Sequence, residues 1–252
     1  VGGLEDLKEQ RVVFVGDAAT RIEEDHLRSL RFFRFVAEYG DPNAGLDPDA
    51  LAAIADHLDG LETLARERIG AEMQKLLSAP DPAPALAAMQ ATGALLRILP
   101  GALTDSVAPL VHLEEAAGVA PDWVRRLAAM GDFDSMDLLR ISKKDARRLE
   151  AMRGFLASGA GAAEIAWRSG PNLALSVELI RHAALSAPLP ADLETAIEKG
   201  ATAKFPVTAA DMMPELQGAA LGEALSRAER MWIASDFEMD RKTLLDAVAK
   251  SG

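Results

Sequence analysis

One run of β-branched residues constrains this chain more than any other feature. Arg11-Val12-Val13-Phe14-Val15 reads as a short strand closed by Gly16-Asp17, and everything after it reads as helix. A lone strand leaves its backbone donors and acceptors unpaired, so it implies a sheet that this chain does not supply. The remainder is rich in Ala and Leu, and aromatic residues are only 5% of the chain, which favours helix over sheet. The expected fold class is all-α: an elongated or curved multi-helix array with one short N-terminal strand left from a sheet elsewhere.

The 252 residues suffice for one large domain or two to three small ones, and 49% hydrophobic with 26% charged residues fits a soluble globular chain with a core. The absence of cysteine excludes disulfide scaffolds, thiolate zinc sites and cysteine nucleophiles. His26, His57, His112 and His182 form no i,i+3 or i,i+4 pair, so no histidine metal site is expected. The net charge of −12 rules out a uniformly basic nucleic-acid binder but leaves room for a local basic stripe. No apolar stretch reaches the length of about 18 residues that a membrane helix needs. The start Val1-Gly2-Gly3 has neither Met nor signal-peptide character, so the expectation is a cytoplasmic chain cut from something longer.

Thr20 and Glu23 have capping-box spacing, which predicts a helix from Thr20 to about Tyr39, stopped by Gly40-Asp41-Pro42. Further helices are expected at about 49–58, 61–77, 85–96, 106–117, 121–129, 135–141, 143–156, 161–168, 172–184, 191–199, 208–213, 219–235 and 240–249. Proline-rich breaks fall at 78–84 and 187–190. Gly154, Gly159 and Gly161 follow no strand and read as a turn, not a phosphate loop.

The segment from Arg21 to Phe35 carries the clearest chemistry. On the predicted helix Ile22, Leu30, Phe33 and Ala37 form an apolar face, with Arg21, Glu24, Asp25, Arg28 and Arg31 on the other side. Asp25 and Arg28 are i,i+3 neighbours whose heads can point at one target, with Phe32 beside them as a flat apolar wall. A carboxylate accepts hydrogen bonds and a guanidinium donates them. The Watson–Crick edges of adenine and cytosine offer an amino donor beside a ring-nitrogen acceptor, which suits Asp25 and Arg28 in that order. Guanine and uracil reverse the order and would strand polar groups at about 1–3 kcal/mol each. The same spacing serves a plain solvated ion pair, contributing about 0.2–0.5 kcal/mol, so spacing alone leaves both readings open.

In order along the chain, Gly2 to Leu7, the strand, Val15-Gly16-Asp17, Arg21, Glu24-Asp25-x-x-Arg28-x-x-Arg31 and Phe33-Arg34-Phe35 resemble one family. It is the class II tRNA nucleotidyltransferase (CCA-adding enzyme) and bacterial poly(A) polymerase family. Ala65-Arg66-Glu67-Arg68-Ile69 with Glu72 and Leu76-Leu77 resembles its neck motif, and Asp81-Pro82, Ala85-Leu86, Met89 and Leu99-Pro100 fit the following segment. Phe205-Pro206-Val207, Asp211, Gly218, Gly222, Leu225 and Trp232-Ile233 resemble a tail motif of many members.

The resemblance implies a template-independent RNA nucleotidyltransferase that adds C and A to tRNA 3′ ends. Poly(A) polymerase is an alternative that these motifs do not separate from it, and a non-enzymatic helical RNA-binding or scaffold protein is a second. It also implies a division into residues 1–19 (remnant of an α/β head), 20–79 (neck), 80–187 (body) and 188–252 (tail). The family's Gly-Ser-Asp hairpin and Arg-Arg-Asp motif do not precede Val1. The expectation is therefore that the catalytic residues and magnesium belong to a missing head, that this chain holds no metal and that it is inactive alone. By the same resemblance Asp25 and Arg28 read the base of ATP or CTP, while Arg31 and Arg34 contribute near the triphosphate or hold that template.

A basic stretch from Arg125 to Arg153 is the expected RNA contact. Arg125, Arg126, Arg140, Lys143, Lys144, Arg147, Arg148 and Arg153 face only Asp132, Asp134, Asp137, Asp145 and Glu150, a local excess of three positive charges on an acidic chain. Within it Arg125, Arg126, Lys143, Lys144, Arg147 and Arg148 are the candidate tRNA contacts. A solvated helix face laced with i,i+4 pairs fits the same pattern. Trp123, Trp167 and Trp232 are expected in cores or interfaces rather than as base-stacking platforms.

Overall fold

A computed structural model of the chain describes residues 3–41 and 44–250. Among the described residues there are helices and 3-10 turns but no β-ladder, which makes the fold all-α. In order the helices are α1 (Gly3–Lys8), α2 (Ala18–Glu24), α3 (Leu27–Tyr39), α4 (Pro48–Asp56), α5 (Arg66–Ser78), α6 (Ala83–Thr92), α7 (Ala94–Ile98) and α8 (Val107–Ala116). They continue with α9 (Trp123–Ala129), α10 (Ser135–Leu139), α11 (Lys143–Ser158), α12 (Ala162–Ser169), α13 (Pro171–Ala184), α14 (Leu193–Thr202), α15 (Gly218–Ala234) and α16 (Arg241–Lys250).

The chain divides into two compact units. The first comprises residues up to Gly159 together with Ser176–Pro190, and the second Ala160–Leu175 together with Ala191 onward. In the first, α3 packs on α5 and α6. Ile22, Leu30, Phe33, Ile69, Met73, Leu77, Leu86 and Met89 are buried in its core. Each large apolar side chain buried this way contributes about 1.5–3 kcal/mol relative to exposure. In the second unit Trp232 is buried among Val207, Ala228 and Leu244, with the Trp167 and Phe205 rings centred 5.4 and 5.3 Å away. Trp232 is thus a core aromatic, and Trp167 packs half-buried against it.

The predicted strand does not form. Arg11–Val15 takes no regular structure and no ladder, because no described segment offers it a partner. It is anchored instead by Phe14, whose ring stacks on Phe32 at 5.5 Å and 9°, while Val15 remains 79% exposed.

The helix expected from Thr20 to Tyr39 also differs. Asp17, not Thr20, caps α2, its Oδ1 accepting the Thr20 N–H at 2.8 Å and the Thr20 hydroxyl at 2.7 Å. The helix then stops at Asp25, whose side chain takes the Leu27 N–H at 3.1 Å and so replaces a helical backbone bond. The expected 85–96 helix is split by Gly93 in the left-handed region (φ +83°). The 61–77 helix begins only at Arg66, after a 3-10 turn over Leu58–Thr63, and the 208–213 helix shrinks to a 3-10 turn over Ala209–Asp211.

Candidate nucleotide and nucleic-acid interface

The joint between α2 and α3 places Asp25 outside either helix, with extended backbone (φ −158°, ψ 103°). Its two carboxylate oxygens accept from Nη2 of Arg68 on α5 at 3.2 and 3.0 Å. Burial pushes the Asp25 carboxyl pKa up, but the Leu27 N–H and the Arg68 and Arg31 cations outweigh it and hold the group below its ordinary value. Arg28, in the first turn of α3, donates Nη1 to the Arg21 carbonyl at 2.8 Å and to the Glu24 carboxylate. Arg21 reaches the same Glu24 oxygen at 2.6 Å. Asp25 and Arg28 therefore share one turn of chain, but each has its own counter-ion. Their side chains are 26% and 28% exposed, which leaves both reachable by a ligand yet partly desolvated.

Arg31 and Arg34 are not equivalent. Arg31 is 43% exposed, with its Nε 3.7 Å from Glu72, so its guanidinium keeps donors free. Arg34 donates to Glu72 and to Glu38, each at 2.7 Å, and lies 4.2 Å from the centre of the Phe35 ring. Burial alone would lower the Arg34 pKa, and the two carboxylates more than offset it. With 13% of its side chain exposed, Arg34 ties α3 to α5. Phe32 is buried at 3% against Phe14, so it is part of the core and not the apolar wall expected beside the pair.

The basic stretch separates into two groups. Arg125 and Arg126 are 3% and 1% exposed, which corrects the expectation that they touch RNA. Arg125 Nε donates to Glu114 at 2.7 Å, and Arg126 donates to Glu114 at 3.0 Å and to the carbonyls of Leu77, Ala79 and Pro80. A phosphate could reach either guanidinium only by breaking α9 away from α5 and α8. Arg148 pairs with Asp122, and Arg153 donates to the Gly131 and Phe133 carbonyls at 2.7 and 3.0 Å. Lys143, Lys144 and Arg147 are exposed on the first half of α11.

Sequence spacing had no means of finding Arg68, which is 43 residues from Asp25 in the chain. Nor did a surplus of basic residues reveal which of them would be consumed by Glu114 and Asp122. Among the described residues no three His, Asp or Glu side chains converge to hold a metal ion. No helix among them is long and apolar enough to cross a membrane.

A family described as "Probable RNA and SrmB- binding site of polymerase A" matches residues 45–105, which include α4 to α7. The human "CCA tRNA nucleotidyltransferase 1, mitochondrial" is 48% identical over 75 residues, 30% of this chain and 17% of that protein. The CCA-adding enzyme of Geobacillus stearothermophilus is 31% identical over 198 residues, 74% of this chain and 48% of that enzyme. This chain thus spans less than half the length of either relative. Among solved structures, the Bacillus stearothermophilus CCA-adding enzyme in complex with CTP matches with TM-score 0.65 and 25% identity, over 100% of this chain and 68% of that one. The Thermotoga maritima enzyme complexed with tRNA shares the fold, with TM-score 0.65 at 15% identity over 99% of this chain and 66% of that one.

Proposed function

We propose, from the premise that these matches make the chain a member of the class II CCA-adding enzyme and poly(A) polymerase family, that it selects the incoming nucleotide and grips tRNA in an enzyme adding C and A to tRNA 3′ ends. The observation that carries this reading is the joint at Asp25. There a carboxylate and a guanidinium, each already oriented by a partner, stand three residues apart and partly open to solvent. ATP and CTP present an amino group to Asp25 and a ring nitrogen to Arg28. For UTP or GTP a carbonyl would face the carboxylate, and an N–H would face the guanidinium. Arg31, with donors to spare, is placed to meet phosphate oxygens, while Arg34 braces the helix beneath.

RNA contact is assigned to Lys143, Lys144 and Arg147. Lys143 and Lys144 occupy the first turn of α11, where the helix dipole disfavours cations. A phosphate lying there would meet the lysines and the helix N-terminus together. On this reading 20–79 is the neck, 80–187 the body and 188–252 the tail, and the magnesium that phosphoryl transfer uses is held by a part of the enzyme outside these residues. Poly(A) addition is the second reading, favoured by the polymerase A description of the family that matches 45–105.

The test is incubation of the full-length protein with ATP, CTP and magnesium, using tRNA trimmed of its 3′ end and an unrelated RNA. Addition of C and A confined to trimmed tRNA is expected. Long A tracts on both RNAs would favour poly(A) addition, and no incorporation on either would contradict both readings.

A further inference from the structure

We infer that Arg68 is a positioning residue for base selection, aiming the Asp25 carboxylate and fixing how much of it is left for the base. The inference deepens, and rests on, the reading of Asp25 and Arg28 as the base selector.

An ionised carboxylate offers about four acceptor positions. On Oδ1, one is taken by the Leu27 N–H at 3.1 Å and one by Arg68 at 3.2 Å. On Oδ2, Arg68 takes one at 3.0 Å. Roughly one position therefore remains, on Oδ2. That suits a single amino hydrogen of adenine or cytosine and offers nothing to a carbonyl. The contact comes from α5, across 43 residues, so it is not a by-product of helical spacing. Arg68 is also 47% exposed, and ion pairs so open to water add little to stability. Its value lies in orientation.

Protonation would weaken the rule. A neutral Asp25 could donate to the O4 of uracil or the O6 of guanine and so remove one of the two mismatches, while Arg28 would still face an N–H of the wrong base. The charged groups facing Asp25 are Arg68 from α5 and Arg31 from α3. Glu24 is engaged by Arg21 and Arg28, and His57 at the end of α4 faces Glu23 and Asp17 instead. The adjacent His26 ring lies against Gly60. Without Arg68, burial would be opposed only by Arg31 and the Leu27 N–H, so the carboxyl would titrate at higher pH.

The experiment compares the full-length enzyme with its Arg68→Met, Arg68→Gln and Arg68→Lys variants. It measures kcat and KM for CTP, ATP and UTP on trimmed tRNA from pH 6 to 8, alongside thermal melting. Wild type should favour CTP over UTP across the range. Arg68→Met should lose about tenfold of that preference, the worth of one charge-assisted hydrogen bond. Arg68→Gln keeps an N–H donor without the charge, so it should lose less of the preference than Arg68→Met. Arg68→Lys should restore most of the preference. Should melting show that Arg68→Met does not fold, the Gln and Lys variants decide the matter by the same criteria. Wild-type preference in the folded Met and Gln variants at every pH would overturn the role of Arg68. A wild-type enzyme that incorporates neither CTP nor ATP would instead overturn the proposed function, so the two failures are distinct.

Discussion

Arg126 is 1% exposed, and its surroundings explain how a buried guanidinium is tolerated. It shares Glu114 with Arg125 and donates to three carbonyls in and just beyond the last turn of α5, which have no helical partners of their own. Replacing it by Ala strands those carbonyls and unbalances Glu114, a loss of about 3–5 kcal/mol. Denaturant unfolding of Arg126→Ala should show that loss, while the folded protein's tRNA affinity keeps its salt dependence. Asp122 makes a second test. It caps α9 through the Val124 and Arg125 N–H groups at 3.0 and 3.3 Å and pairs with Arg148. Burial raises its pKa, but Arg148 and the Arg125 N–H outweigh that and hold it below the ordinary value. A carboxylate depressed in the folded state stabilises above its unfolded pKa, and the benefit fades as pH falls through the folded one. Asp122→Ala should therefore cost about 1–2 kcal/mol or more at pH 7, and the gap to wild type should narrow below about pH 4.

Among the elements, α5 supports the candidate site from several positions. Arg68 holds Asp25, Glu72 holds Arg31 and Arg34, and Gly70 lets α10 lie directly on the helix. A Cβ at Gly70 would stand 1.9 Å from the Leu139 carbonyl oxygen, so the neighbouring backbone must move. Gly70→Ala should lower stability by at least about 1–3 kcal/mol, seen as a lower denaturation midpoint at unchanged slope. How much of this was legible in the sequence varies with the range of the interaction. Apolar periodicity marked Ile22, Leu30 and Phe33 as core, because burial follows a local repeat. Proline and glycine marked the ends of α3 and α5. The break at Asp25 was hidden, because its side chain competes for a backbone N–H that periodicity cannot see. Asp25 and Arg28 stood out by type and order, whereas Arg68, Arg34's bracing role and the burial of Arg125 and Arg126 depend on contacts between distant helices.

Across the whole molecule, a net charge of −12 sets the background against which any RNA contact must work. Affinity should fall with added salt, and each of Lys143, Lys144 and Arg147 removed should reduce the salt slope by about one phosphate contact. On the proposed function, binding and base choice fall in different places: α11 for the tRNA, the α2–α3 joint for the nucleotide. The most direct measurement of that division is nucleotide addition by the full-length enzyme carrying Asp25→Ala or Arg28→Ala, with tRNA affinity followed in parallel. Each change should weaken use of CTP and ATP by about 1–3 kcal/mol or more and erode the preference over UTP and GTP, with tRNA affinity nearly intact. If both variants kept wild-type rates and wild-type preference for ATP and CTP, base selection would not reside at this joint.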